Sequence, residues 1–144
     1  MTKPRFFTEE EEAIIVKAIQ EAEKMSSGEI KVHVERHTQK DNFARAREVF
    51  ESLGMTKTED RNGVLFYMAI EDHKFSILGD KGIHEKCPKG FWDEIRNEVQ
   101  DNFKAGKFVE GLCTGISKAG KALKEYFPHA PEQGNQLSDQ ISRS

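Results

Sequence analysis

The apolar positions of the chain change their period several times, and each change marks an element. Ile14, Ile15, Ala18, Ile19, Ala22 and Met25 recur at helical spacing, which predicts a first helix with one apolar face. It opens at Thr8-Glu9-Glu10-Glu11, a capping box in which the Thr8 hydroxyl and the Glu11 carboxylate each accept from the other residue's backbone N–H. Ser26-Ser27-Gly28 ends it. Glu29 to Glu35 then alternates, with Ile30, Val32 and Val34 on one face and Glu29, Lys31, His33 and Glu35 on the other. That is the pattern of a half-exposed strand. A second helix, capped by Asp41 or Asn42, carries Phe43, Ala46, Val49, Phe50 and Leu53 and stops at Gly54.

The stretch from Asn62 to Gly82 organises the rest. Val64 to Ile70 is an unbroken apolar run, suited to a strand covered on both faces. Glu71, Asp72, His73 and Lys74 interrupt it, and Phe75 to Leu78 resumes as the returning arm of an antiparallel hairpin. Strand, helix and strand within about forty residues imply a right-handed crossover and parallel pairing of the first two strands. Gly79-Asp80-Lys81-Gly82 closes the hairpin in a turn where the backbone can approach a ligand. Residues 83–86 carry no clear period. Pro88 precedes a helix with Phe91, Trp92, Ile95, Val99 and Phe103; another runs from about Lys107 to Tyr126 with Phe108, Leu112, Ile116, Ala119 and Leu123 on one face. Gly111, Gly115 and Gly120 lie along that last helix. Each costs about 1 kcal/mol of helix propensity, so the helix is expected to press against a neighbour.

Composition narrows the classes. With 144 residues and a net charge of -3, the chain is one domain with no global case for nucleic acid as a partner. No apolar run approaches the roughly 20 residues of a membrane span, and the amino-terminus has no signal-peptide pattern. Cys87 and Cys113 lie far from CxxC spacing and read as reduced thiols of a cytoplasmic, monomeric protein. The expected organisation is an arm at 1–7, a domain at 8–127 and a disordered tail at 128–144, where Leu137 and Ile141 are the only larger apolar groups.

Three stretches carry a resemblance. They are Ser27-Gly28-Glu29-Ile30 opening the first strand, Asn62-Gly63-Val64-Leu65 opening the central one, and Ile77-Leu78-Gly79-Asp80-Lys81-Gly82-Ile83 closing the hairpin. Phe103-Lys104-Ala105-Gly106-Lys107-Phe108 and Glu110-Gly111 follow the last of these. In this order they resemble the TPM domain, over roughly Phe6 to Pro128. The resemblance implies a three-layer α/β/α sandwich of Rossmann-like appearance, a small mixed sheet flanked by about four helices. It also implies an affinity for divalent cations, and a plant relative is described as an acid phosphatase. Without a leader or a following membrane helix, the chain looks like a stand-alone bacterial, intracellular version. Gly79-Asp80-Lys81-Gly82 stands where relatives carry Gly-Tyr-Gly.

Parallel first strands and a returning third strand bring Glu29, Asn62 and Asp80 to one rim of the sheet. Adjacent strands lie about 4.8 Å apart, so carboxylates on the outer two could share a Ca²⁺ or Mg²⁺ with water. Glu59, Asp60, Arg61 and Lys81 lie close by in sequence. A rival cluster of His37, Asp41, Asp72 and His73, with Thr38 and Glu71, lies at the carboxyl ends of the parallel strands, where open α/β sheets usually hold ligands. The expected function is a binding or regulatory module with weak divalent-cation affinity and an unknown protein partner. A slow metal-assisted phosphomonoesterase is the alternative, and an ion-free interaction module is the third reading. His84, Glu85 and Cys87 match no standard metal spacing, and Cys113-Thr114-Gly115 lacks a following arginine at cradle spacing. His33 reads as an exposed or partly covered strand histidine.

Overall fold

Strands β1 (Glu29–Glu35), β2 (Gly63–Ala69), β3 (Lys74–Gly79) and β4 (Ser142–Arg143) form one sheet in the order β3-β2-β1-β4. The computed structural model describes residues 6–24, 26–72, 74–128 and 141–143. β1 and β2 run parallel from Glu29 opposite Gly63 to Glu35 opposite Ala69, while β3 returns antiparallel to β2, with Gly79 opposite Val64. The parallel pair and the hairpin are thus as the sequence predicts. β4 is not: it lies within the stretch read as a disordered tail, and pairs parallel to β1 with Ser142 opposite His33. Leu137 lies outside the described residues, as does Met25, which the periodicity assigns to the first helix, whereas Ile141 packs against the main core.

Among the described residues, five α-helices flank the sheet. Helices α1 (Glu9–Glu23), α4 (Phe91–Lys104) and α5 (Phe108–Tyr126) cover one face, and α2 (Asn42–Ser52) covers the other. Strand alternation builds two cores. Ile30, Val32, Val34, Val64, Phe66 and Met68 meet α1, α4 and α5, while Leu65, Tyr67 and Ala69 meet Ala46, Val49 and Phe50 of α2. The additional helix, α3 (Lys81–Lys86), occupies the stretch without a clear period; Asp80 caps it. No helix among the described residues is long and apolar enough to cross a membrane.

Three sequence expectations change. Every residue of β1 is buried, including Glu29, Lys31, His33 and Glu35, because the strand is flanked by β2 and β4 within a sheet that has helices on both faces. Ile14 is 54% exposed, leaving Ile15 and Ile19 to pack. Phe43 is 45% exposed, since it sits in the first turn of α2 beside the edge strand β3.

Other local expectations hold. Thr8 and Glu11 form the capping box at 3.1 and 2.9 Å. Thr8→Ala is expected to cost about 1 kcal/mol, read as a lowered urea midpoint with an unchanged slope. The small residues of α5 mark close approaches: a Cβ added at Gly120 would lie 2.6 Å from Ala22 Cβ of α1, and one at Gly115 2.7 Å from Val99 Cγ2 of α4.

Candidate functional site

The amino-terminal rim gathers what the topology promises. Glu29 opens β1, Asn62 immediately precedes β2, and Asp80 follows β3, and all three are buried. Glu29 is in register with Gly63, and Asp80 N–H donates to Gly63 O at 3.0 Å, so the two acids flank a residue without a side chain. Asp80 is engaged: Arg61 Nε donates to Oδ2 at 2.6 Å and Nη2 to Oδ1 at 3.0 Å, and Lys81 N–H donates to Oδ1 at 2.8 Å. This charge-assisted fork is held by a backbone in the left-handed region, with φ 50° at Arg61.

A second group of oxygens sits beside it. Ser27 Oγ donates to Asp60 Oδ2 at 2.7 Å and accepts from Asn62 Nδ2 at 2.9 Å. Asn62 N–H donates to Thr58 Oγ1 at 3.3 Å. Asn62 Oδ1 is buried and has no hydrogen-bond partner among the described residues, an exception to the near-complete pairing of buried polar atoms. The rim therefore offers the Asn62 Oδ1 acceptor and the exposed Asp60 carboxylate, whereas Asp80 already faces a guanidinium.

The rival residues at the other end serve local structure. Asp41 caps α2 through Phe43 and Ala44 N–H. Asp72 Oδ2 accepts from Thr38 N–H at 2.7 Å, tying the two loops together. Arg36 grips Glu71, and His37 is exposed. His73 lies outside the described residues. Among the described residues, no three His, Cys, Asp or Glu side chains converge at either end as a metal-holding group.

Sequence reasoning missed a buried polar constellation on the α2 side of β1. Arg45 of α2 makes a forked contact with Glu35, Nε to Oε2 at 3.0 Å and Nη2 to Oε1 at 2.9 Å. Tyr67 donates its hydroxyl to Glu35 Oε2. His33 stacks on Tyr67, with ring centroids 6.0 Å apart, and contacts Glu35 Oε1 through Nε2 at 3.4 Å and Ser142 Oγ through Nδ1 at 3.1 Å. Burial alone would raise the Glu35 pKa, but the Arg45 and Tyr67 hydrogen bonds, with the Arg45 charge, hold it below the ordinary carboxylate value. Burial, reinforced by Glu35, pushes the Tyr67 phenol well up. The available signal was the apolar face of α2, which required the polar side of β1 to share a covered layer. Both thiols are likewise raised, first by burial and then by Glu125 near Cys87 and Glu110 near Cys113, which opposes nucleophilic use.

The sequence profile of the TPM domain matches residues 2–122. The chain belongs to the TPM domain family. Among solved structures, this TPM domain is similar to the BA42 protein of the psychrophilic bacterium Bizionia argentinensis, at 48% identity and TM-score 0.91 over 99% of both chains. Two more distant structures share the fold. The amino-terminal domain of the cg2496 protein of Corynebacterium glutamicum has 12% identity and TM-score 0.66 over 90% of this chain and 78% of that one. The amino-terminal domain of a P. gingivalis protein has 17% identity and TM-score 0.70 over 85% and 82%. No curated protein gives a significant match.

Proposed function

We propose that this TPM domain is a binding module that takes a divalent cation weakly at its amino-terminal rim, through Asn62 Oδ1 and the Asp60 carboxylate. Glu29 and Asp80 contribute negative potential there. The observation that carries this reading is the buried, unpaired Asn62 Oδ1 among oxygen-bearing side chains. Hard cations favour such oxygens, and binding them would supply the missing partner. The Arg61 guanidinium on Asp80 limits the attraction, which argues for weak affinity with water completing the shell. When bound, a cation would tie the loops before β1 and β2 together and add a positive charge to the rim. Engagement of Asp80 and the raised thiols give the phosphomonoesterase reading no comparable support.

A Ca²⁺ or Mg²⁺ titration followed by amide NMR shifts tests this. Saturable shifts are expected at 27–29, 60–63 and 80–82. Asp60→Asn and Asn62→Ala are each expected to weaken binding about fivefold to tenfold. Shifts confined to His37 and Asp72 would move the site to the other end, and their absence everywhere would leave an ion-free interaction module.

A further inference from the structure

At the opposite end of the sheet, beyond the carboxyl end of β2, a cavity of about 180 Å³ opens between the β2–β3 hairpin and the junction of α4 with α5. Met68, Phe75, Phe103 and Phe108 form its apolar walls. The rings hold one another: Phe75 and Phe103 meet edge-on at 5.2 Å, and Phe103 and Phe108 lie 5.3 Å apart. Such contacts fix ring positions. An apolar cavity of about 150 Å³ is enough to admit benzene.

The charge on this cavity has one sign. Lys74 and Lys104 line it, both exposed, and no acidic residue does so among the described residues. Neither lysine makes an ion pair among the described residues. The nearby acids of the hairpin turn are occupied, Glu71 by Arg36 and Asp72 by Thr38 N–H. Lysine stems extend along apolar walls while their ammonium groups stay at the water boundary. The cavity thus combines an aromatic interior with two uncommitted cationic side chains, at the end where open α/β sheets accept ligands.

We propose that this cavity binds a small apolar carboxylate, with the ring or short hydrocarbon part among Phe75, Phe103 and Phe108 and the carboxylate against Lys74 and Lys104. The site is separate from the amino-terminal rim and does not depend on the cation reading.

The probe is phenylacetate, with phenylacetamide as its uncharged counterpart, each titrated into the full chain and followed by amide NMR shifts. Saturable shifts are expected at 68–70, 74–75 and 100–108, with an acid affinity in the roughly 0.1–1 mM range. The acid should bind about fivefold to tenfold more tightly than the amide. That preference should fall as sodium chloride is raised, because exposed charges are screened. The double variant Lys74→Gln, Lys104→Gln should abolish the preference while retaining amide binding. No saturable shifts at these residues, equal binding of acid and amide, or a preference that survives both salt and the double variant would each overturn the proposal.

Discussion

Gly82→Ala is expected to destabilise the domain by about 3 kcal/mol or more. A Cβ at that position would fall on the Asp60 carbonyl oxygen and 2.7 Å from the Arg61 carbonyl oxygen. These are backbone atoms, so no side-chain rotation relieves the overlap. The same place is fixed by the Gly82 N–H, which donates to Arg61 O at 2.8 Å. Relief therefore requires moving the 60–61 loop, which carries both the Asp60–Ser27 contact and the Arg61–Asp80 fork. Urea unfolding checks the size of the effect, with the midpoint falling and the slope unchanged. Gly90→Ala serves as the comparison. Gly90 has φ 86° and open space around its would-be Cβ, so only the backbone penalty of about 1–2 kcal/mol applies. Equal losses in the two variants would show that the steric account of Gly82 is wrong.

Arg45→Ala is expected to cost about 3 kcal/mol at neutral pH, toward the lower end for breaking a buried pair, because Arg45 is itself 30% exposed. The larger consequence lies in the pH dependence. In the intact domain the Glu35 pKa is lowered in the folded state. Its stabilising contribution is therefore fully present above the unfolded carboxyl pKa and is lost as pH falls through the lower folded value. Removing Arg45 leaves burial, the largest influence on Glu35, without its main opponent, and the folded pKa should rise above the unfolded one. Stability attributable to this residue should then decline as pH rises from the unfolded value through the new folded one. Urea midpoints measured for both proteins between about pH 3 and 7 should give a difference that grows with pH. A constant difference would mean that Arg45 acts through packing alone. Tyr67→Phe should cost less, about 1–2 kcal/mol, because the Arg45 fork remains on the Glu35 carboxylate.

Much of the architecture follows from local pattern. The Thr8 capping box, the parallel pair of strands and the hairpin return need only short-range spacing and the handedness of crossovers. The convergence of Glu29, Asn62 and Asp80 on one rim follows from strand direction alone, since parallel strands start at the same end. What those side chains then do there was not legible. Asp80 lies 19 residues from the Arg61 that grips it, and Arg61 reaches it from a left-handed backbone conformation that no periodicity encodes.

The polar face of β1 is the sharper case. The alternation of Glu29, Lys31, His33 and Glu35 identifies which side chains share a side, and it does so correctly. It carries no information about what lies above that side. That was decided by α2 bringing Arg45 from ten residues away and by Ser142, more than a hundred residues on, joining the sheet beside His33. The sequence by itself determined the elements other than α3 and β4, their directions and the TPM family pattern, because these depend on neighbours a few positions apart. Burial, ion pairing and the unpaired Asn62 oxygen were decided only by the tertiary structure, because each depends on distant segments that exclude water from a shared volume and replace its hydrogen bonds.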